Sequence, residues 1–241
     1  MQNRVATQSY NVPEIQHLSN DVYRVILSPS EGFIPEYKAG QYLLIHLPDD
    51  QVSAFSIASA PVIRQARLEL HIQKLPDREN STALFNQLEQ GQIKASIAHG
   101  LCHLGEIPNK PLTFIAAGTG FAQMKSMIEH CKNISHNKKL NLYWGARSPS
   151  DFYLPNLPIQ WASDDLIYHP VASEAHVKDE WNGRHGMLYE AIIADKESLS
   201  NSEIYISGSP TMVYATVDAL LKQGFEESCM HSDVFEYAPR T

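Results

Sequence analysis

The segment that most limits what this chain can fold into is Leu112-Thr113-Phe114-Ile115-Ala116-Ala117-Gly118-Thr119-Gly120-Phe121. A short continuous apolar run suits a strand buried on both faces of a parallel sheet, and parallel strands need a crossover, usually a helix. The next residues supply one. Phe121, Met124, Ile128 and Cys131 recur at i, i+3, i+7 and i+10, a stripe of helical period that faces a sheet. From Lys110 onward the chain reads as repeated strand-turn-helix units. Strands are expected at Leu140–Gly145, Leu166–Val171 and Ile204–Ser207, helices at Met187–Ala194 and Pro210–Gln223, and a last extended stretch at His231–Tyr237. Such alternation builds an open, doubly wound parallel sheet. Its ligands sit beyond the carboxyl ends of the strands, here the turns after Ala117, Gly145 and Ser207.

Before Pro108 the texture is different. Short alternating runs at Val22–Leu27, Gln41–Leu47, Phe55–Ala58, Leu68–Gln73 and Gln92–Ile97 are broken by Pro, Gly and Asp/Asn clusters. Leu68, Leu70 and Ile72 alternate strictly with polar residues and fall on one face of an antiparallel sheet. Several such strands in about a hundred residues predict a small barrel. One helix, Thr82–Gln90, interrupts them, with Asn80 or Ser81 as its cap, Leu84, Phe85 and Leu88 on one face and Gly91 as its stop. Two prolines around Asn109-Lys110 mark the boundary. The expected organisation is an antiparallel barrel over residues 1–108 and an α/β domain over 109–241.

A chain of 241 residues is long enough for two cores of this kind. Nineteen Lys and Arg against 27 Asp and Glu give a formal charge of −8, a field that repels nucleic acid and anionic membrane surfaces. Any phosphate must be held locally. No run reaches the roughly 20 apolar residues of a membrane span, and Met1–Tyr10 lacks the apolar core of a signal peptide, so a cytoplasmic location is expected. Cys102, Cys131 and Cys229 form no C-x-x-C pair and are read as packing residues of a reducing compartment. His99, Cys102 and His103 lack a second ligand cluster, so no metal site is expected.

Three corners carry candidate chemistry. Gly118-Thr119-Gly120 joins a buried strand to an amphipathic helix, where a glycine backbone and unpaired helix N–H groups can hold a pyrophosphate, although Gln123 stands where the full G-x-G-x-x-G fingerprint has glycine. Gly208-Ser209-Pro210 with Met212 is a second corner of this type, with Ser209 as cap and Pro210 in the first turn. After the strand ending Tyr143-Trp144-Gly145, Arg147 and Ser148 are placed to contact a ribose or a phosphate.

Together with Ala39-Gly40-Gln41-Tyr42-Leu43, Phe55-Ser56-Ile57-Ala58-Ser59, Leu70-His71-Ile72 and the aromatic C-terminus, these corners resemble the ferredoxin–NADP reductase superfamily, and within it bacterial NAD(P)H:flavin oxidoreductases. The resemblance runs from Asp21 to Phe235. It implies a flavin-binding barrel followed by a nicotinamide-binding α/β domain. The activity it implies is hydride transfer from NADH or NADPH to N5 of riboflavin, FMN or FAD. Reduced flavin would then be released to an oxygenase, a luciferase or ferric iron. On the barrel it assigns Ser53, Phe55, Ile57, His71, Ile72 and Gln73 to the flavin, with the Ser56 hydroxyl at N5. On the second domain it assigns Gly118, Thr119, Gly120, Phe121, Gly145, Arg147, Gly208, Ser209, Pro210 and Met212 to the nicotinamide cofactor. At the C-terminus, Phe235 and Tyr237 border the ring and Asp233 polarises the carboxamide or relays a proton, making Ser56 and Asp233 the expected catalytic pair.

The sequence departs from that pattern at Ser53, where the family has an arginine for the flavin phosphate, and at Gln73, where it has a small residue. Losing a bidentate phosphate contact weakens FMN or FAD relative to riboflavin. Two other readings stand beside the main one. One is a reductase component with bound flavin that passes electrons to an iron–sulfur or oxygenase partner, and the other is a nucleotide-binding module without activity.

Overall fold

The computed structural model describes residues 6–48 and 51–240, so the first five residues of the polar stretch Met1–Tyr10 lie outside it. Strands β1 (Thr7–Ser19), β2 (Val22–Pro29), β3 (Tyr42–His46), β4 (Val52–Ser56) and β5 (Leu68–Gln73), helix α1 (Glu79–Glu89) and strand β6 (Gln92–His99) make the first unit. Its six strands form an antiparallel sheet in the order β4-β3-β6-β1-β2-β5. A bridge between Ile57 and Leu70 draws the two edges together and closes the barrel. Leu68, Leu70 and Ile72 lie in its core, as their alternation requires.

Two local expectations change. Strand β1 has no counterpart among the strands expected from sequence, because it is mostly exposed and carries Pro13, which its ladder absorbs with a register shift between Asn11 and Glu14. Helix α1 starts three residues early, at Glu79 with Arg78 at the cap, since the Ser81 hydroxyl accepts the Leu75 N–H at 2.8 Å instead.

The second unit runs β7 (Leu112–Ala117), α2 (Phe121–Asn133), β8 (Leu140–Ala146), α3 (Asn156–Trp161), β9 (Leu166–Ala172), β10 (Arg184–His185), α4 (Leu188–Ala194), α5 (Lys196–Leu199), β11 (Glu203–Ser207), α6 (Pro210–Lys222), β12 (Met230–His231) and α7 (Val234–Tyr237). Its six strands are parallel, in the order β10-β9-β8-β7-β11-β12. The last stretch is therefore not extended throughout. After two strand residues, the Glu236 and Tyr237 N–H groups both donate to the Asp233 carbonyl and wind one helical turn.

Helix α2 positions the site. The expected stripe of Phe121, Met124, Ile128 and Cys131 is buried, but so are Gln123, Lys125, Ser126 and Met127. The barrel covers that second face. Ser126 donates to the Ser59 carbonyl at 2.8 Å and Lys125 to that of Ala58 at 3.2 Å. Gly40 suits this close approach, since at φ +101° a Cβ would be strained and would lie 2.8 Å from the Cys102 carbonyl oxygen as well as 2.1 Å from Met127 Cε. Among the described residues, no helix is long and apolar enough to cross a membrane.

Candidate active site

The two glycine corners meet at the carboxyl end of the parallel sheet. Gly118–Gly120 forms one tight turn between β7 and α2. A Cβ at Gly120 would lie 2.3 Å from the Ser207 carbonyl oxygen, so only glycine lets the turns after β7 and β11 touch. Ser209 caps α6 by accepting the Met212 N–H, with Pro210 in the first turn, as expected.

Two cavities flank these corners. The barrel-side cavity, about 730 Å³, lies between the barrel and the corners; the sheet-end cavity, about 660 Å³, lies beyond β7, β8 and α4. Gln73, Ala117, Gly118, Thr119 and Ser209 line both, so the two spaces share a wall. Each is large enough for a cofactor-sized molecule.

Of the residues assigned from sequence, Phe55, Ser56, His71, Gln73, Gly118, Thr119, Gly120, Gly208, Ser209, Asp233 and Tyr237 line the barrel-side cavity. Gly145, Arg147 and Met212 join the sheet-end cavity. Six line neither. Ile57 and Ile72 are wholly buried in the barrel core, Ile72 because strand alternation turns it inward and Ile57 at its bridge to Leu70. Phe121 is wholly buried with its ring stacked 3.9 Å from that of Trp144, a packing role. Ser53 and Pro210 stand outside both linings. Phe235 turns toward Tyr214, with ring centroids 6.0 Å apart. In a strand it would share a face with Tyr237, but a helical turn separates residues two apart by roughly 200°.

Ser56 lines the barrel-side cavity and its hydroxyl bonds no described residue, so it is free for a ligand. Asp233 is held from two sides. Its Oδ1 accepts the Cys102 N–H at 3.2 Å and its Oδ2 accepts Gln123 Nε2 at 2.8 Å. Burial, the largest influence, pushes its carboxyl up to about 6 against those two bonds.

Behind the cavity wall a buried network joins the two units. The imidazole of His71 bonds Glu69 at 2.8 Å through Nε2 and Tyr153 at 3.0 Å through Nδ1. A carboxylate only accepts, so Nε2 carries the proton and Nδ1 accepts from the Tyr153 hydroxyl. Burial, the largest influence, lowers the His71 pKa against the bond to Glu69 and so favours the neutral ring. Burial opposes the Glu69 charge too, but the His71 bond together with Lys125 and Arg24 outweighs it and holds that carboxyl at about 2.

Several lining residues escaped sequence reasoning: Tyr42, Leu75, Gln123 and Ser232 on the barrel side, Asp21, Tyr153, Met187 and Tyr189 at the sheet end. Tyr42 had a signal, since it alternates with buried Leu43 on β3. Among the described residues, no Lys or Arg lines the barrel-side cavity, whereas Arg147 lines the other.

Comparison with known proteins finds relatives over most of the chain. A family model, the oxidoreductase NAD-binding domain, matches residues 114–218. The chain is 33% identical over 204 residues to an NAD(P)H-flavin reductase of Vibrio harveyi, covering 82% of this chain and 84% of that one. It is 29% identical to terephthalate 1,2-dioxygenase reductase component 1 of Comamonas sp, over 91% of this chain but 65% of that longer protein. A ferredoxin NADP+ reductase from Neisseria gonorrhoeae, solved with FAD and NADP, superposes with a TM-score of 0.78 at 20% identity over 94% of this chain and 98% of that one. That last likeness is one of fold.

Proposed function

Because the chain belongs to the NAD(P)H-flavin reductase family, we propose that it passes a hydride from NADH or NADPH, bound at the sheet end, to N5 of a flavin in the barrel-side cavity. The observation that carries this reading is the shared wall: Gln73, Gly118, Thr119 and Ser209 line both cavities, so two ligands would meet there. The redox chemistry belongs to the nicotinamide and the flavin. The chain contributes proximity and fixed orientation, which remove the entropic cost of bringing two reactants together.

The residues fit such ligands. Gly118-Thr119-Gly120 offers backbone N–H groups at a helix start for a pyrophosphate. Phe55 and Tyr237 would border an aromatic ring, and the unbonded Ser56 hydroxyl can donate to a ring nitrogen that gains electron density. Asp233 would meet the carboxamide or carry a proton. Arg147 would meet a ribose or its phosphate.

The flavin is an exchangeable substrate in this reading. Ser53 replaces the arginine of the resemblance, and no described cation lines the barrel-side cavity to hold a flavin phosphate. The physiological acceptor of reduced flavin would be an oxygenase or a luciferase. Three free cysteines, two of them buried, support a cytoplasmic setting.

One assay tests this: absorbance at the reduced-nicotinamide band with NADH and NADPH, each against riboflavin, FMN and FAD. Turnover with riboflavin at least equal to that with FMN, by protein that loses its yellow colour on dialysis, is expected. No oxidation with any flavin would overturn the reading. Relatives that are dioxygenase reductase components favour a second reading, a bound flavin serving an oxygenase partner. Retained colour with turnover only in the presence of such a partner would favour it.

A further inference from the structure

The third position of the strand-turn-helix corner is Gln123, a polar side chain only 2% exposed. Its Nε2 lies 2.8 Å from the Gly40 carbonyl, 3.1 Å from that of Cys102 and 2.8 Å from Asp233 Oδ2. Two of these acceptors belong to the barrel, the third to the C-terminal segment, and the donor to α2. One amide thus ties together the elements around the barrel-side cavity, which it also lines.

An amide nitrogen carries two hydrogens, so three acceptors compete for them. While Asp233 is ionised, its charge draws the stronger bond. Once Asp233 is protonated, both hydrogens can go to the carbonyls of Gly40 and Cys102, and neither hydrogen of the amide goes unmet. A carboxylate of permanent charge needs no such alternative. The turn beside it is also cleared: a Cβ at Gly100, where φ is +91°, would lie 2.8 Å from both Asp233 Oδ1 and the Tyr42 ring.

We propose that Gln123 is a positioning residue for hydride transfer, holding the ionised Asp233 carboxylate at the cavity wall and tying it to the barrel and α2, with the Gly40 and Cys102 carbonyls taking both amide hydrogens once that carboxyl is protonated. This rests on the flavin reductase reading. In that reaction the nicotinamide C4–H bond breaks, its electron pair forms the N5–H bond, and one solvent proton is taken up to complete the neutral reduced flavin. A carboxyl beside the reacting groups that can change charge without leaving the amide hydrogens unmet accommodates that uptake. The groups facing Asp233 are Cys102 after β6, Tyr42 on β3, and Glu236 and Tyr237 on α7. None is a cation, and among the described residues Asp233 makes no salt bridge, which leaves Gln123 and the Cys102 amide as the groups that favour its ionised form.

The test compares wild type with Gln123→Met, close in volume but unable to donate, and Gln123→Asn, which keeps the amide one methylene short. The Asp233 carboxyl carbon is titrated by ¹³C NMR without ligands, assigned with Asp233→Asn. The pH profile of kcat is measured with NADH and riboflavin. Gln123→Met should raise the titration midpoint by about one unit, tenfold in proton affinity, and move the kcat inflection equally, with the KM for NADH changing less than about threefold. Gln123→Asn should fall between. Midpoint and profile unmoved, with only thermal stability reduced, would reduce Gln123 to packing and overturn the proposal. If wild type oxidises neither dinucleotide with any flavin, the reductase reading fails by itself, whereas the carboxyl titration needs no turnover and still decides whether Gln123 governs Asp233.

Discussion

Replacing Gly120 with alanine tests whether the touching corners set catalytic geometry. The new methyl carbon would lie 2.3 Å from the Ser207 carbonyl oxygen, 2.7 Å from its carbonyl carbon and 3.1 Å from the Gly208 nitrogen. All three are backbone atoms, so no rotamer change relieves the overlap. Comfortable contact begins near about 3.5 Å, so the corners must part by roughly 1 Å. Overpacking of this kind costs about 1–3 kcal/mol, which lowers Tm by about 2–12 °C in a chain of this size. A 1 Å misplacement of reacting groups costs about 100-fold in rate. The expected result is therefore a kcat with NADH and saturating riboflavin reduced about 100-fold, read in the same preparation as a modest fall in Tm. Gly118→Ala is the companion. Its methyl meets no atom within 4 Å, so the corners stay together. It should cost about 1–2 kcal/mol for the left-handed backbone and raise the KM for the dinucleotide rather than lower kcat. A Gly120→Ala enzyme with wild-type kcat, or the same KM–kcat split in both variants, would refute the reasoning.

Ser56→Ala should lower kcat by about 100- to 1000-fold, on the scale of losing one donor to a developing negative charge, with riboflavin affinity by fluorescence quenching nearly unchanged; an unaffected kcat removes Ser56 from the mechanism. Asp233→Asn should trade activity for stability. A carboxyl raised in the fold from 3.8 to about 6 destabilises the protein above pH 6 by up to about 3 kcal/mol, an effect absent below pH 4. Urea midpoints should therefore favour the Asn variant at pH 7.5 and converge at pH 4, and parallel curves would contradict the assignment. Glu69 works in the opposite sense. Depressed from 4.5 to about 2, it contributes about 3 kcal/mol that is fully present above pH 4.5 and lost as pH falls toward 2. Glu69→Gln should flatten that acid limb; an unchanged slope would place the acid sensitivity elsewhere.

What could be read in advance followed from how local each feature is. Strand β7 and its glycine corner are written in ten consecutive residues, and the barrel strand Leu68–Gln73 in a strict alternation, so both lie where they were expected. Strand β1 escaped because its residues are held by pairing with β2 and β6 rather than by burial of a face, and because Pro13 disguises it. The position of Phe235 is not legible in sequence because one helical turn and one short strand share the same composition at this length. The bonds of His71 to Tyr153 and of Gln123 to Asp233 span 82 and 110 positions, and no periodicity encodes a partner at that distance. The same applies to Gln123 as a whole: an amide at the third turn position looks like a flaw in the phosphate-binding fingerprint until the barrel carbonyls above it are known.

Over Phe121–Ile128 helix α2 is enclosed on every side, by its own sheet below and by the barrel above. Dividing the chain at the prolines near residue 108 would leave one fragment with Met127, Ser126 and the Lys125 ammonium laid bare, and the other with backbone carbonyls at Gly40, Ala58 and Ser59 that have lost their donors. The two halves are thus not interchangeable modules. A chimaera that grafts this barrel onto another reductase's second half must bring α2 along with it, or rebuild the surface that α2 was covering.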